Sequence, residues 1–356
     1  MSLIRGENAR TITPMTELSP HQADLTQSVD SFADLNPDCV LDAVCSAGFQ
    51  CDGRLLSLNS YENRVYQLGI EDAPPVVAKF YRPKRWSDAA IAEEHAFVNE
   101  LYSHEIPVVP ALMQSNGQSL HHYQGYRFSI FPRQGGRAPE LDTPETLEWL
   151  GRFIGRIHAV GALKTYQHRP TLNLQNFGTE PVQFLLANDF IPHDLLAAYQ
   201  SATSMLLDGV AACFDRAGDV SSLRLHGDCH MGNVLWTEAG AHPGPHFVDF
   251  DDSRMGPAIQ DLWMLLSGSR AEMTAQLCDI LAGYEDFFEF DPRQLHLIEA
   301  LRSLRLVHYS AWLAQRWDDP AFKQAFPWFN TQRYWQDRIL EFREQIALMD
   351  EAPLRV

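Results

Sequence analysis

Strand-like apolar runs dominate the chain between residues 51 and 131. They fall at residues 55–58, 64–68, 76–81, 120–122 and 126–131, and residues 72–75 form a turn signal between two of them. Two segments have the apolar spacing of a helix. The first precedes these runs, from residue 37 to a stop signal at Gly48, and the second lies between two of them and begins at Ser87, which is a suitable N-cap residue. The pattern predicts a small β-rich unit that carries one prominent helix.

Beyond residue 132 the apolar spacing becomes that of helices. Residues 147–158, 195–207 and 295–313 have apolar side chains three and four positions apart, whereas residues 223–250 combine strand-like runs with a polar loop. The sequence before residue 36 is polar and aperiodic. We therefore expect a flexible tail over 1–35, a small β-rich lobe over 36–131 and a mainly helical lobe over 132–350, with residues 133–137 as the linker.

Composition and charge exclude several classes of protein. Of the 356 residues 45% are hydrophobic, and 46 acidic against 28 basic residues give a net charge of -18. This is globular composition with too negative a balance for a nucleic-acid-binding protein, although it leaves open a cationic small-molecule substrate. No apolar run approaches the roughly 18 residues of a membrane span, and the six cysteines form no C-x-x-C pair. We expect a cytoplasmic protein without a membrane or nucleic-acid partner.

The polar loop within residues 223–236 contains the clearest chemical signal. Asp228 and Asn233 are separated by four residues, which is the Asp-x-x-x-x-Asn spacing of a phosphotransfer catalytic loop. In such a loop the aspartate accepts the proton of the attacking hydroxyl and the asparagine holds Mg²⁺.

A second acidic segment follows at residues 247–252. Strand alternation would place Asp249 and Asp251 on one face, where two carboxylates repel unless a cation lies between them. In isolation the same run is also compatible with a solvated strand end with helix-capping aspartates. Together with Asp228 and Asn233 it favours a magnesium site.

One lysine, Lys79, lies inside the apolar strand at residues 76–81, as in the strand that reaches the phosphates of ATP in protein kinases. A buried ammonium needs an anion, and Glu94 on the apolar side of the next helix is the preferred partner, with Glu93 as the second candidate. For this strand alone, a lysine that extends to the surface at the sheet edge is an alternative interpretation.

These residues together resemble the protein-kinase-like fold, specifically its aminoglycoside and choline kinase-like branch. The resemblance rests on His-Gly-Asp-Cys-His-x-Gly-Asn at 226–233, Val-Asp-Phe-Asp at 248–251 and Leu-Gly-x-x-x-Gly-x-Ile-His at 150–158. Segments at 57–66, 79–83, 168–170 and 256–266 are similar to a bacterial family of stress response serine/threonine kinases, over about residues 37–350. The family implies an α+β, bilobal fold with a small β-rich N-lobe and a larger, mainly helical C-lobe.

The resemblance also implies the partners of the site. A member of this family uses ATP and Mg²⁺ and phosphorylates serine or threonine hydroxyls of protein substrates. Apart from the resemblance, we expect a monomer. Asp228 would be the catalytic base and Lys79 would contact the α- and β-phosphates with Glu94 as its anchor. The remaining implied positions are the metal ligands Asn233, Asp249 and Asp251, the phosphate loop with Ser60, Asn63 and Arg64, and the adenine-binding hinge with Ile130 and Pro132.

The sequence departs from the eukaryotic kinase pattern in the phosphate loop and in the segment after Asp249. The phosphate loop lacks the glycines of G-x-G-x-x-G, and only eleven residues separate Asp249 from Asp261, with no A-P-E motif. A long activation loop that is switched by phosphorylation therefore does not fit in this interval. Separately, Asp261, His226 and His158 are expected to have structural roles. Arg133, Arg137, His168 and Arg169 are expected near the cleft.

Two other functions stay open at this point. One is a small-molecule hydroxyl kinase for an aminoglycoside, choline or homoserine-like substrate, which a deep acidic pocket in the helical lobe would favour. The other is an ATP-binding regulatory protein without turnover.

Overall fold

The computed structural model describes residues 29, 31–238 and 243–356, and its largest sheet lies in the first part of the chain. Five antiparallel strands pair in the order β1-β2-β3-β5-β4. They are β1 (Cys51–Leu58), β2 (Arg64–Ile70), β3 (Ala73–Phe80), β4 (His121–Tyr123) and β5 (Tyr126–Pro132). All five predicted strands are present, with ends shifted by a few residues.

The outer face of this sheet is covered by helix α1 (Pro37–Ser46). Val40 and Val44 of the helix are fully buried and pack with Phe80, Phe128 and Ile130 of the strands. Most of the predicted tail lies outside the described residues, but its last part joins this core. Leu35 is buried there, and the ring of Phe32 stacks on Tyr126. The packed chain therefore begins before the predicted boundary at residue 36.

Helix α2 (Asp88–Ser103) connects the two lobes. It begins where predicted, because the Ser87 side chain accepts a hydrogen bond from the Ala90 N–H at 3.1 Å. Its inner face, however, packs in the core of the large lobe through Phe97, Val98 and Leu101. A helix of the small lobe is thus anchored on the large lobe, and its side chains are held between the two.

The large lobe is mainly helical, with two short strand pairs. Its helices are α3 (Pro144–Gly161), α4 (Glu180–Ala187), α5 (Leu196–Ala217), α6 (Ile259–Trp263), α7 (Arg270–Tyr284), α8 (Ile298–Gln315), α9 (Pro320–Ala325) and α10 (Gln332–Met349). The strand pairs are β6 (Leu223–Leu225) with β9 (Arg254–Gly256), and β7 (Val234–Thr237) with β8 (Gly244–Phe247). The predicted α+β bilobal fold, with a β-rich small lobe and a helical large lobe, is confirmed.

The glycines of the Leu-Gly-x-x-x-Gly motif have a packing role. A Cβ at Gly151 would lie 1.9 Å from the Ile280 carbonyl oxygen, and one at Gly155 would lie 2.5 Å from that of Tyr284. Helices α3 and α7 therefore approach each other at a distance that only glycine permits. Within the described part of the chain, no helix combines the length and apolarity that crossing a membrane requires.

Candidate active site between the lobes

Two adjoining cavities lie in the cleft between the lobes. One, of about 350 Å³, extends under the five-stranded sheet, and the other, of about 500 Å³, extends over the large lobe towards α8. They share the residues at which they meet, namely Asn59, Ser60, Gly232, Asn233 and Asp249. Polar groups therefore concentrate where the two cavities join.

The first cavity has apolar walls contributed by both lobes. Val65, Val77 and Phe131 line it from the sheet, and Leu235 of β7 lines it from the large lobe. Pro132 also lines it, as expected for the hinge. A slot with apolar walls of this kind fits a flat aromatic base.

The side chain of Ile130 does not reach this cavity, contrary to the prediction. Ile130 pairs with Ala78, whereas Lys79 pairs with Ser129 and Val77 with Phe131. Because side chains alternate across a strand, Ile130 lies on the opposite face and is fully buried in the small-lobe core. Phe131 occupies the hinge position that the sequence had placed at Ile130.

The ammonium of Lys79 lies at the inner end of the first cavity. Its Nζ is 2.8 Å from Asp249 Oδ1 and 3.3 Å from Asp251 Oδ1, and its side chain is only 8% exposed. Burial alone would lower the pKa of Lys79, but the charges of Asp249, Asp251 and Glu94 outweigh it and raise this pKa well above its ordinary value. Strand β3 therefore places the positively charged ammonium of Lys79 at the junction of the cavities.

The predicted ion pair between Lys79 and Glu94 is replaced by another pairing. Glu94 Oε2 accepts a hydrogen bond from Arg169 Nη2 at 2.8 Å, and both side chains are buried. Arg169 also donates to the carbonyl oxygens of Ala90, Asp251 and Ser253. Glu94 therefore anchors α2 to the segment after Asp249, and it acts on Lys79 through its charge rather than by direct contact.

The second candidate, Glu93, also has a structural contact. Its carboxylate accepts hydrogen bonds from the backbone N–H groups of Gln167, His168 and Arg169, at 2.6, 2.8 and 3.1 Å. This holds the loop that presents Arg169. The prediction that Glu93 points away from Lys79 agrees with these contacts.

Asp249 and Asp251 both reach Lys79, but not by strand alternation. Strand β8 ends at Phe247, and Asp249 has the left-handed backbone angles φ 61° and ψ 62°. A 3₁₀ turn follows at Phe250–Asp252. The predicted alternating strand was wrong here because the reversal at Asp249 turns the chain, and the turn then brings Asp251 back towards the lysine.

Asp251 is buried and faces three side chains of the protein. Its Oδ2 contacts Arg85 and accepts a hydrogen bond from Asn63 Nδ2 at 3.1 Å, while its Oδ1 faces Lys79. Burial would raise the pKa of Asp251, but the charges of Arg85 and Lys79 hold it below its ordinary value. Asp251 is therefore less suited than Asp249 to hold a metal, because it is buried and already faces two cations of the protein, although its Oδ1 has no hydrogen-bond partner among the described residues.

Asp249 and Asn233 are better suited to hold a divalent cation. The Asp249 side chain is half exposed at the junction, and only its Oδ1 has a partner among the described residues. The amide nitrogen of Asn233 donates to the Asp228 carbonyl oxygen at 3.0 Å, which leaves its amide oxygen for a ligand. A carboxylate with an amide oxygen is a donor set that suits Mg²⁺. Within the described ranges no cluster of three His, Cys, Asp or Glu side chains with metal-binding geometry occurs, so a bound ion would also need phosphate or water ligands.

The loop that carries Asp228 is held by buried structural groups. Asp261 of α6 accepts hydrogen bonds from the N–H groups of His226 and Gly227, both at 2.8 Å, and from His158 Nε2 at 3.1 Å. His226 Nε2 lies 2.9 Å from the Val248 carbonyl oxygen. The structural contacts predicted for Asp261, His226 and His158 are thus present, and they hold the two acidic segments together.

Asp228 projects from this loop into the second cavity. Its Oδ1 is 2.6 Å from Nη1 of Arg305 on α8, and its Oδ2 is 3.4 Å from His230 Nε2. Burial would raise the pKa of Asp228, but hydrogen bonding to His230 and the charge of Arg305 hold it below its ordinary value. The carboxylate is therefore ionised and held in place beside the junction.

The predicted phosphate loop contains one residue at the junction and two that lie elsewhere. Ser60 lines both cavities. Asn63, by contrast, is buried as a strut between Asp251 and the Arg82 N–H. Arg64 stacks over Phe32 and lies 3.5 Å from Asp319, outside the first cavity. Both residues of this loop contact the large lobe, and nothing in the sequence near residues 60–64 indicates those distant partners.

Several site residues were not found from the sequence. Arg305 and Arg85 lie far along the chain from the acids that they pair with, and Asn59 has no distinctive spacing. Two of the basic residues expected near the cleft have structural contacts instead, since Arg169 is buried and Arg137 pairs with the exposed Glu238. The helical apolar spacing of residues 295–313 gave no reason to single out Arg305.

Comparison with known proteins decides the family. A model of the Phosphotransferase enzyme family matches residues 54–298, which is more than half of the chain and includes the lining of the first cavity and the loops that carry Asp228 and Asp249. The chain belongs to this phosphotransferase family. Its two-lobed cleft, with acids on the loops after β6 and β8, is therefore the cleft of a phosphotransferase.

Curated relatives match nearly the whole chain. A protein of Escherichia coli O157:H7 named Stress response kinase A is 46% identical over 332 residues, which cover 93% of this chain and 99% of the relative. A Salmonella typhimurium relative named Serine/threonine protein kinase RdoA is 46% identical over 326 residues, covering 92% of this chain and 97% of the relative. The predicted resemblance to stress response kinases is confirmed, and the chain is a kinase.

Solved structures of other phosphotransferases share the fold. The amicoumacin kinase hAmiN, in complex with AMP-PNP, Ca²⁺ and Ami, has a TM-score of 0.67 at 20% identity, covering 89% of this chain and 95% of its own. A microcompartment-associated aminopropanol kinase has a TM-score of 0.63 at 15% identity, covering 87% and 96%. At these identities the likeness supports the fold alone.

Proposed function

We propose that this kinase transfers the γ-phosphate of ATP, in the presence of Mg²⁺, to serine or threonine hydroxyls of proteins, and that it serves a stress response. The observation that carries the proposal is the junction of the two cavities. Lys79, Asn233 and Asp249 converge there, with Asp228 on the side of the second cavity. A nucleotide in the first cavity would place its terminal phosphate at this junction.

The first cavity supplies the contacts for the nucleotide. Val65 and Val77 from the sheet and Leu235 from the large lobe would enclose the adenine, next to Phe131 and Pro132 at the hinge. The ammonium of Lys79 would neutralise phosphate charge at the inner end. The anchor of this lysine is the pair of aspartates, with Glu94 as a more remote charge.

The metal would be held by Asn233 and Asp249. When bound, Mg²⁺ neutralises charge on the phosphate oxygens. Asp249 already keeps one oxygen on Lys79, so the same carboxylate would fix the lysine and the metal relative to each other. Positioning and charge neutralisation carry most of the catalysis in phosphoryl transfer.

Asp228 is the residue that we assign to the acceptor hydroxyl. The hydroxyl oxygen forms a bond to the γ-phosphorus while the bond from phosphorus to the ADP oxygen breaks, and the hydroxyl proton passes to the Asp228 carboxylate. The pKa of Asp228 lies below its ordinary value, so the carboxylate is ionised and can accept the hydrogen bond that orients the hydroxyl, and it receives the proton as the bond to phosphorus forms. All of these groups come from one chain, so a monomer suffices.

The substrate class rests on the relatives and on the charges of the second cavity. The Salmonella typhimurium relative is named a serine/threonine protein kinase. The acids of this cavity are paired with cations of the protein, as for Asp252 with Arg85 and Arg254 at 2.8 and 2.5 Å. The cavity therefore lacks the unneutralised acidic character that a polycationic aminoglycoside would require.

A small-molecule kinase is the second candidate. The second cavity has a volume of about 500 Å³, which lies within the range of small-molecule sites. The solved kinases that share the fold are named for amicoumacin and aminopropanol. An amino alcohol or an antibiotic is therefore a real competitor for the protein hydroxyl.

The deciding experiment offers the enzyme both classes of acceptor. The full-length chain is incubated with γ-labelled ATP and Mg²⁺, together with a mixed protein substrate or a panel of aminoglycosides, choline, aminopropanol and homoserine. Label in serine or threonine of protein supports the proposal. Label only in a small molecule would transfer the assignment to the second candidate, and binding of ATP without any transfer would favour a regulatory protein.

A further inference from the structure

Arg305 stands out among the cations of the second cavity. It lies on α8, and its side chain is 43% exposed and lines the cavity. One nitrogen, Nη1, is 2.6 Å from Asp228 Oδ1. Its other N–H donors have no hydrogen-bond partner among the described residues, whereas a guanidinium has five donors in all.

The other guanidiniums of this cavity are already occupied. Arg85 contacts Asp251 and Asp252, and Arg254 donates to the Asp252 carbonyl at 2.7 Å and to its carboxylate at 2.5 Å. Both side chains are largely buried, at 13% and 6% exposed. Among the described guanidiniums that line the cavity, Arg305 is therefore the exposed one, and its remaining donors are accessible to a ligand.

We propose that Arg305 is a specificity-determining residue, which selects acceptor hydroxyls that have an Asp or Glu side chain as their immediate neighbour. This inference rests on the proposed function, because it names the class of protein sequence that the same site accepts. A carboxylate matches the fork of a guanidinium, and such charge-assisted pairs are stronger than neutral hydrogen bonds.

The position of Arg305 limits the distance between the substrate's Asp or Glu carboxylate and its acceptor hydroxyl. The hydroxyl is oriented by Asp228, and the guanidinium is already within 2.6 Å of that carboxylate. Because the guanidinium lies so close to the carboxylate that orients the hydroxyl, and consecutive Cα atoms are about 3.8 Å apart, we place the substrate carboxylate on a residue next to the acceptor. A lysine or arginine in that place would instead meet the guanidinium with like charge.

The first test measures binding without transfer. Fluorescently labelled nine-residue peptides of alanine and glycine carry a central alanine in place of serine, with Asp, Asn or Lys on either side of it. Fluorescence anisotropy with the full-length protein should show roughly tenfold tighter binding of the Asp peptide than of the Asn peptide, and the weakest binding for Lys. Equal binding of the three peptides, or no binding at millimolar concentration, would overturn the inference.

Variants at Arg305 connect the preference to this side chain. Arg305→Met should remove the difference between the Asp and Asn peptides, and Arg305→Lys should restore part of it because one cation remains. Arg302→Met is the matched control, since Arg302 lies on the same helix but contacts Glu299 and stacks over Trp263. A preference that persists in Arg305→Met, with a melting temperature equal to that of the wild type, contradicts the assignment.

The corresponding serine peptides separate this inference from the proposed function. If the Asp peptide binds best but no serine peptide is labelled by γ-labelled ATP, the proposed protein-kinase activity fails while the anion preference of Arg305 stands. If serine peptides are labelled equally well whatever their neighbour, the kinase assignment stands and the inference fails. The expected result is a kcat/KM roughly tenfold higher for Asp than for Asn neighbours, lost in Arg305→Met.

Discussion

The buried pair between Glu94 and Arg169 makes a quantitative prediction about how the site is held together. Arg169→Met would leave Glu94, whose side chain is 4% exposed, with no direct cationic partner. It would also remove the donors to three carbonyl oxygens, those of Ala90, Asp251 and Ser253. Removing one partner of a buried ion pair costs about 3–5 kcal/mol, because the remaining charge stays in a medium of low polarity.

The expected shift in melting temperature follows from this energy. An unfolding entropy of about 2.1 cal/mol/K per residue gives about 0.75 kcal/mol/K for the whole chain, so Arg169→Met should lower the melting temperature by about 4–7 °C. Differential scanning calorimetry of the full-length protein measures it. Arg133→Met is the control, because Arg133 is exposed and bonds only to the Gln67 side chain among the described residues.

A double-mutant cycle tests the pairing itself. Glu94→Gln removes the charge that Arg169 faces, so the double variant should lose less stability than the sum of the two single variants, by about 1–3 kcal/mol. Additive losses, or a loss in Arg169→Met no larger than in the control, would refute the assignment of Glu94 to Arg169. They would favour the direct contact with Lys79 that the sequence predicted.

Three further predictions concern the segment between the lobes, a buried histidine and the loop that carries Asp228. Gly136 has a φ of 147°, and the Cβ of Gly136→Ala would lie 2.8 Å from the Cβ of Leu235, which lines the first cavity, so we expect a several-fold higher KM for ATP. Gly135→Ala is the control: its Cβ would meet only a side-chain nitrogen of Arg133 at 3.5 Å and should leave the KM for ATP unchanged. Burial, and then the charges of Lys79 and Arg169, lower the pKa of His95 to about 3, so the folded state favours the neutral ring and stability is lost as pH falls from about 6.5 towards 3. At pH 5 the loss of stability from His95 is about 2 kcal/mol. The melting temperature of His95→Gln should therefore fall less between pH 7 and 5 than that of the wild type, and parallel curves of melting temperature against pH would contradict this prediction. Asp261→Asn replaces an acceptor oxygen with a donor beside two loop amides, which should cost about 1–3 kcal/mol of stability and lower kcat more than it changes KM for ATP, as steady-state kinetics would show.

Local patterns were enough to predict most of the fold. Alternation and turn signals placed the five strands of the sheet, and the N-cap at Ser87 placed the start of α2. The same local reasoning found Lys79 and the loop with Asp228 and Asn233, because both depend on residue types at short spacing. These residues do meet at one cleft.

The predictions that were wrong depended on contacts between distant segments. Glu94 pairs with Arg169 from a loop of the large lobe, and no periodicity of either segment indicates that partner. Ile130 was misplaced by one position, which in a strand reverses the face of the sheet. The left-handed turn at Asp249 broke the expected alternation, although the turn still brought Asp251 to the lysine.

The central claim is that phosphate passes to an acceptor at the junction of the two cavities, with Asp228 orienting the hydroxyl. The most direct measurement is single-turnover transfer from γ-labelled ATP by Asp228→Asn, alongside the wild type and Asp337→Asn, an exposed control on α10. The amide oxygen of the variant can still accept a hydrogen bond from Arg305, so the melting temperature and the affinity for ATP should be retained. We expect transfer to fall by about 10²- to 10⁴-fold in Asp228→Asn and to be unchanged in the control. Transfer within a few-fold of the wild-type rate, with a folded variant, would contradict the account.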